Sequence, residues 1–309
     1  MSLLFESIFF IIQQHIYRKV GNQLSIFLVQ LLTGIAYGML YFMIAAGLTI
    51  ILGVMNVVNL AHGTLFMLGA YIAFSFISNE LNFWLALLLS VICTAICGII
   101  LEKFLIKYVY GKELEQVLLT FGLSFILADM VEWLWGTEMK TLPVPSLLDG
   151  SISFGDTDFP IYRLFVVLFG LLLALLLWYL ETRTRIGAII RAGVDDREMV
   201  GALGIHVGFV FTGVFTFGAA LAGLSGVLGG PLIGMHTGMD SEILVTSLIV
   251  VVIGGLGSWK GSLIGAVLIG VIETLGKVWF PSLSMLIVFL LMMVVLIIRP
   301  NGLLGREVA

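Results

Sequence analysis

Residues 181–206 read ETRTRIGAIIRAGVDDREMVGALGIH, and this charged stretch between long apolar runs decides how the chain is organised. It holds four of the fifteen Lys and Arg residues of the chain, namely Arg183, Arg185, Arg191 and Arg197. A charged stretch of this length between apolar runs is typical of a connection outside a membrane. We therefore interpret it as a docking surface outside the bilayer.

The second half of this stretch has the pattern of a short helix. Asp195 can cap its first turn with Glu198 as capping-box partner, and Gly204 is placed to end it. Its narrow apolar face consists of Met199, Val200 and Leu203. A helix of about two turns is not stable alone in water. It either folds back onto its own membrane part or inserts into a partner protein, and the pattern leaves both open.

The composition excludes a soluble globular protein. Of the 309 residues, 60% are hydrophobic and 11% are charged, whereas soluble domains have about 25% charged residues. The mean hydropathy is +1.16. The apolar runs are continuous rather than alternating, which excludes a transmembrane β-barrel. The sequence thus predicts an all-α, polytopic helical membrane protein, and its net charge of −4 gives no indication of nucleic-acid binding.

Apolar runs that approach the length needed to cross a bilayer, about 20 residues, recur along the chain. We predict nine spans, within a range of eight to ten, because the first run is long for one straight helix and the second is short. The runs are 24–52, 63–78, 83–106, 116–135, 161–180, 209–230, 242–258, 261–279 and 282–298.

Residues 1–23 are predicted to form a peripheral segment, separate from the transmembrane domain 24–309. The apolar stretch Leu3–Ile12 carries Glu6 and has no basic residue before it, so it does not have the pattern of a cleavable signal peptide. It is too short to span, and we expect an interfacial helix.

The distribution of Lys and Arg predicts the orientation. Basic residues cluster in 103–112, 181–208 and 299–309, which are predicted to be cytoplasmic. The connection 136–160 holds one Lys against four acidic residues and is predicted to be external. Alternating spans then place the N-terminus outside. Arg18 and Lys19 argue against that last step, so the side of the N-terminus stays open.

The stretch GVMNVVNLAHG, residues 53–63, is polar within an apolar region. Asn56, Asn59 and His62 are spaced by three, so they share a helix face or line a loop. Polar side chains are costly beside lipid and should face the bundle interior or water. They either fix helix packing or border a translocation path. A metal site is not favoured, because a lone His with two Asn lacks a thiolate or carboxylate partner.

Small residues recur at intervals of four. Gly34 with Gly38 and Gly261 with Gly265 are two such pairs, which predict closely packed helices in lipid. Cys93 and Cys97 are interpreted as small packing residues of one helix. The segments 62–65 (HGTL) and 260–263 (KGSL) form a faint repeat, for which chance is the better explanation.

No catalytic centre is indicated. The sequence contains no H-E-x-x-H motif, Walker P-loop or nucleophile elbow. We expect no catalytic residues, no metal site and no cofactor, and ATP hydrolysis would have to come from separate subunits. Glu273 and Lys277, four residues apart, should neutralise each other near the outer surface.

Five stretches together resemble the branched-chain amino acid ABC transporter permeases of the LivH type, and they occur in the same order. They are GLTIILGVMNVVNLAHGTLFMLGAYIAF (47–74), RAGVDDREMVGALGI (191–205), FGAALAGLSGVLGG (217–230), VVIGGLGSWKGSLIGAVLIGVIE (251–273) and RPNGLLG (299–305). The resemblance covers nearly all of the chain after residue 25, and residues 1–23 extend beyond the usual start of the family.

The resemblance implies a multi-pass inner-membrane permease subunit that imports branched-chain or related apolar amino acids. Its partners would be a second permease of the same superfamily, two cytoplasmic ATPase subunits that bind the ATP, and a periplasmic or extracellular substrate-binding protein. Residues 195–204 would be the coupling helix that docks on the ATPase, although Met199 and Val200 replace the alanines of the related E-A-A-x-x-x-G loop. The expected coupling residues are Arg191, Asp195, Arg197, Glu198, Met199, Val200, Leu203 and Gly204.

The sequence leaves other transport functions open. Permeases for urea or short amides resemble the chain in the same way. A self-sufficient ion-coupled carrier is a different class, and it would need titratable residues at mid-bilayer depth. We expect none between residues 209 and 258. An intramembrane enzyme would need a nucleophile and a base, and no such set is visible.

Overall fold

The computed structural model describes residues 2–154, 157–185, 187–189, 192, 204 and 206–305, with side chains from residue 25 onward except Phe154 and Met285. These residues form nine α-helices: α1 (Ser2–Met55), α2 (His62–Ser78), α3 (Phe83–Phe104), α4 (Glu113–Trp135), α5 (Ile161–Arg183), α6 (Val207–Ile233), α7 (Met239–Gly254), α8 (Trp259–Trp279) and α9 (Ser284–Ile298). Two 3₁₀ helices, Ile106–Val109 and Pro281–Leu283, follow α3 and precede α9. An antiparallel hairpin, β1 (Ser151–Phe154) and β2 (Thr157–Pro160), lies between α4 and α5.

Each of the nine predicted runs overlaps one of these helices, which confirms the all-α membrane fold. Six described helices are long and apolar enough to cross a membrane: Ser25–Met55 of α1, and α3, α4, α5, α6 and α8. The other three are shorter, with 17 residues in α2, 16 in α7 and 15 in α9. α1 is one unbroken helix whose backbone includes residues 2–24, so no break separates the predicted N-terminal segment from the first span. Its position at the membrane surface stays a prediction.

Glycines allow α1 and α8 to pack antiparallel at very short distance. A Cβ atom on Gly34 would lie 2.6 Å from the Cα of Val271, and one on Gly38 would lie 2.7 Å from the Cα of Val267. Side chains do not approach backbone atoms this closely, so a larger residue would force the two helices apart. The close packing predicted from the small-residue intervals is therefore confirmed for this pair.

The helices form two groups of four that pack as an inverted repeat. α1–α4 correspond in order to α6–α9, and α5 lies between the groups and reverses the direction of the second. Equivalent contacts are present, because α1 packs on α8 as α6 packs on α3, and α2 packs on α6 as α7 packs on α1. The faint sequence repeat does not reflect this symmetry, since its segments begin α2 and α8, which are not equivalent.

The connections predicted to be cytoplasmic meet at one end of the bundle. Trp259 Nε1 donates to Glu181 Oε2 over 2.9 Å, which joins the start of α8 to the end of α5. The amides of residues 303 and 304 donate to the last carbonyls of α7 over 2.8 and 3.0 Å. At the opposite end, the connection 136–160 is tied to the end of α6 by the paired backbones of Lys140 and Met235. Which end faces the cytoplasm rests on the Lys and Arg distribution.

Candidate functional site

The polar stretch 53–63 forms a loop and the start of α2 rather than a continuous helix face. Asn56 follows the end of α1 with a φ of 53°, a left-handed conformation that Asn tolerates better than most residues, and its side chain is exposed. Asn59 is 1% exposed. Its Oδ1 accepts a hydrogen bond from the Ala61 amide over 3.2 Å, and its carbonyl accepts one from the His62 amide over 3.3 Å. Asn59 thus shapes the turn that begins α2, whereas Asn56 lies outside the packed junction.

His62 is the first residue of α2 and is completely buried. Its Nε2 lies 3.1 Å from the carbonyl oxygen of Ile44 on α1. The imidazole fits there because Gly47 has no side chain, since a Cβ on Gly47 would lie 3.1 Å from the ring. α1 and α2 are therefore joined by a buried polar contact inside an apolar core.

The depth of this contact follows from α1. Arg163 Nη1 donates to Thr33 Oγ1 over 2.9 Å, which places Thr33 level with the outer end of α5. Ile44 follows three helical turns later, about 16 Å deeper at the rise of an α-helix. The hydrocarbon core of a bilayer is about 30 Å thick. The imidazole of His62 therefore lies close to the mid-depth of the bundle.

The start of α7 meets the start of α2 at this depth. A Cβ on Gly63 would lie 2.1 Å from the carbonyl oxygen of Asp240, so the two backbones touch. From this junction α2 runs to the outer end and α7 runs to the inner end. Each is preceded by a short loop that returns into the bundle, residues 56–61 before α2 and residues 234–238 before α7. Paired discontinuous helices that begin near the midplane are a recurrent architecture of substrate sites in transporters.

Two buried polar atoms at the junction have no hydrogen-bond partner among the described residues, Asn59 Nδ2 and His62 Nδ1. A buried donor or acceptor without a partner costs about 1–3 kcal/mol. The polar atoms of the junction are thus not all hydrogen-bonded. This favours a junction that can rearrange over one that only holds the helices together.

A second polar surface, which the sequence did not predict, lies beside this junction in the outer half of the bundle. Glu242 in the first turn of α7 is 74% exposed, and its carboxylate lies 3.7 Å from Nε2 of His236. Tyr41 Oη donates to Oε2 of Glu273 over 2.9 Å and is close enough to Glu242 to interact with it electrostatically. Lys277 Nζ donates to Glu273 Oε1 over 2.6 Å, which confirms the predicted pair. We call these five residues the outer polar face.

The outer polar face was missed because the predicted run 242–258 placed Glu242 at the membrane boundary. α7 begins earlier, at Met239, and it begins at mid-depth. The expectation that no titratable residue lies at that depth between 209 and 258 is therefore wrong. The available signal was the interruption 231–238, PLIGMHTG, because paired Gly- and Pro-broken segments in two halves of a chain mark such sites.

Most of the predicted coupling helix lies outside the described residues, namely Arg191, Asp195, Arg197, Glu198, Met199, Val200 and Leu203. Gly204 is described, and its φ of 81° is the left-handed conformation that glycine adopts at helix ends. The helices on either side of the loop are tied to their neighbours. Glu181 holds the end of α5 against Trp259 of α8, and Thr212 Oγ1 of α6 donates to Oε2 of the buried Glu102 of α3 over 2.6 Å.

Comparisons with known proteins match most of the chain to transport permeases. Residues 30–296 match the family described as the permease component of branched-chain amino acid transport systems. The chain is 31% identical to the high-affinity branched-chain amino acid transport system permease protein BraD of Pseudomonas aeruginosa, over 91% of this chain and 96% of that protein. It is 28% identical to LivH of Escherichia coli, over 93% of this chain and 98% of that one. It is also 26% identical to LivM of Salmonella typhimurium, a second permease protein of such a system, over 86% and 68% of the two chains.

Proposed function

The chain belongs to the family of permease components of branched-chain amino acid transport systems, and we propose that it carries branched-chain or related apolar amino acids inward. It is a membrane-spanning permease subunit of an ABC importer and a multi-pass protein of the cell (inner) membrane. It works with a second permease and with separate ATPase subunits. A periplasmic or extracellular binding protein delivers the substrate.

The observation that carries the proposal is the junction of α2 and α7. Two short helices begin side by side at mid-depth within an inverted repeat, and each continues to a different side of the membrane. A small movement of α2 relative to α7 would change access from one side to the other without unfolding any helix. This is the geometry that alternating access requires.

Asn59 and His62 act at this junction, and Asn56 acts in the loop that leads to it. The single chain surrounds the side chains of Asn59 and His62 completely, so they reach the path only when α2 and α7 separate. Their unpaired nitrogen atoms make such a movement less costly, because water or a passing polar group would satisfy them. Asn59 and His62 thus fix the helix packing while α2 and α7 are in contact, and they border the path when the two helices separate.

ATP hydrolysis reaches this junction through the loop between α5 and α6. The predicted helix from Asp195 to Leu203 docks on an ATPase subunit, and its apolar face supplies the contact. Because the loop leads directly into α6, and Thr212 ties α6 to α3, a displacement of the loop is passed to the bundle rather than absorbed by it.

The test is reconstitution of the complete transporter, with both permeases, the ATPases and the binding protein, in proteoliposomes. Uptake of radiolabelled leucine, isoleucine and valine should require ATP and the binding protein, and urea and acetamide should not be taken up. Uptake of urea in place of amino acids would overturn the substrate class. Uptake of leucine that persists with a hydrolysis-deficient ATPase would instead favour an ion-coupled carrier.

A further inference from the structure

The position of Glu242 limits what can lie against its side chain. Its backbone lies in the first turn of α7, which begins at the mid-depth junction with α2, and its side chain is 74% exposed in the single chain. A carboxylate that faces hydrocarbon within a span is strongly unfavourable. Since His236, its one ion-pair neighbour among the described residues, is itself about one-third exposed, this contact does not shield it. Glu242 must therefore face water or polar protein surface.

The residues around Glu242 make this side of α7 a mixed polar and apolar surface. Ser241 beside it is exposed and Thr246 one turn later is partly exposed, so this side of α7 is polar rather than built for lipid. Val245 on the same side is 40% exposed and supplies an apolar strip between them. A mixed surface of this kind, next to a mid-depth helix start, fits a small amphipathic solute.

The outer polar face contains groups that suit an ammonium group. The Glu242 carboxylate is largely exposed beside His236, whereas the carboxylate of Glu273 is already engaged by Tyr41 and Lys277. Lys277 lies on the outer side with 62% of its side chain exposed, and the ring of Tyr41 lies beside that of Tyr37, with centroids 6.5 Å apart. Carboxylates and aromatic rings both stabilise an ammonium group.

We propose that the exposed side of α7, from Ser241 to Thr246, lines the translocation path and that the Glu242 carboxylate binds the ammonium group of the amino acid as it passes. The proposal rests on the proposed import function and adds to it a binding residue and the substrate group that it takes. All amino acids share the ammonium group, so this contact does not distinguish one amino-acid side chain from another. A permease with this site would not carry neutral amides efficiently.

Accessibility of α7 tests the first half of the proposal. In a transporter from which Cys93 and Cys97 have been removed, Ser241→Cys and Val245→Cys should react with a charged, membrane-impermeant thiol reagent. The matched control is Leu172→Cys on α5, which is 61% exposed on an apolar helix side and should stay unreacted. Reaction of neither α7 variant would show that this side of α7 does not face the path.

Protection tests the second half. Leucine, supplied with its binding protein, should slow labelling of Ser241→Cys, and the analogue 4-methylpentanoate, which lacks the ammonium group, should not. Glu242→Gln should abolish the protection and lower leucine import by about tenfold or more, because hydrogen bonds to charged groups contribute about 1.5–3 kcal/mol. Glu138→Gln in the external connection is the control and should leave both unchanged.

The outcomes separate the two proposals. If the unmodified transporter does not import leucine, the proposed function fails, whatever the labelling shows. If it imports leucine while Glu242→Gln transports at the same rate and keeps full protection, the function stands and the assignment of Glu242 is wrong. Equal protection by leucine and by 4-methylpentanoate would likewise show that Glu242 does not bind the ammonium group.

Discussion

Replacement of Gly63 by Ala tests whether the α2–α7 junction is as close as the structure has it. A Cβ at this position would lie 2.1 Å from the Asp240 carbonyl oxygen and 2.9 Å from the Cβ of Leu244, whereas ordinary contact begins at 3.4 Å. The two helices would have to separate by about 1.3 Å. The obstructing atom at Asp240 belongs to a helix backbone and cannot rotate away as the end of a side chain can.

The size of the effect follows from this geometry. Overpacking of a filled core costs about 1–3 kcal/mol, and a backbone obstruction places Gly63→Ala near the upper value. By scaling from soluble domains, this corresponds to a decrease of roughly 5 °C in the melting temperature. Transport should fall more than stability, because the displaced helices are those that meet at the proposed path.

The assay is thermal unfolding of the detergent-purified permease beside leucine import in proteoliposomes. The control is Gly122→Ala on α4, where a Cβ meets nothing within 4 Å. This change should leave import intact and, since Ala favours a helix over Gly by about 1 kcal/mol, should not lower the melting temperature. Equal melting temperatures and equal import for the two variants would refute the close contact of α2 with α7.

Three further predictions concern the topology, the α2–α7 junction and the coupling helix. In a cysteine-free background, Thr184→Cys and Ser151→Cys should label from opposite sides of the membrane; labelling of both from one side would contradict the topology. His62→Ala should reach the membrane in normal amounts yet transport poorly, because one contact to α1 is lost at a rearranging junction; a degraded protein would favour a purely structural role. Met199→Asp and Leu203→Asp should release the ATPase or uncouple hydrolysis from import, because burial of each side chain contributes roughly 1.5–3 kcal/mol; normal co-purification and stimulation would favour the fold-back alternative.

The first half of the junction was accessible from the sequence and the second half was not. The stretch 56–62 contains two Asn and one His in an apolar region. Such a group is recognisable in a sequence because polar side chains are costly beside lipid. The start of α7 contains Asp240 and Glu242 after a glycine-rich interruption, which also fits an ordinary loop in water. Only the contact of Gly63 with the backbone of Asp240 places these carboxylates at mid-depth, and a contact between distant segments has no local sequence pattern.

The ends of the helices show the same limit. Hydrophobicity predicted that α6 begins near residue 209 and α8 near residue 261, each within two residues of the structure. It did not predict that α1 continues backward through residues 2–24, because the polar and charged residues of 13–24 interrupt the apolar run. The interval of four between Gly34 and Gly38 predicted a close helix contact, but it could not predict that α8 is the partner.

α6 is the element through which we expect ATP-driven movement to reach the outer polar face. It begins at Val207, directly after the coupling loop, and ends at Ile233, just before the segment that carries His236. Its 27 residues extend about 40 Å as a helix, so it crosses the whole bundle.

Close glycine contacts hold α6 against its neighbours, which limits how it can move. A Cβ on Gly223 would lie 2.1 Å from Thr94 Oγ1 of α3, and one on Gly226 would overlap the backbone of Phe66 in α2. A helix held in this way moves as a rigid body together with α2 and α3, so the inner and outer ends of α6 should shift together. Distances between spin labels on α5 and on each end of α6, measured with and without ATP, would test this. A shift confined to the inner end would show that the movement is absorbed within α6, and the link from the coupling loop to Glu242 would then have to run through another helix.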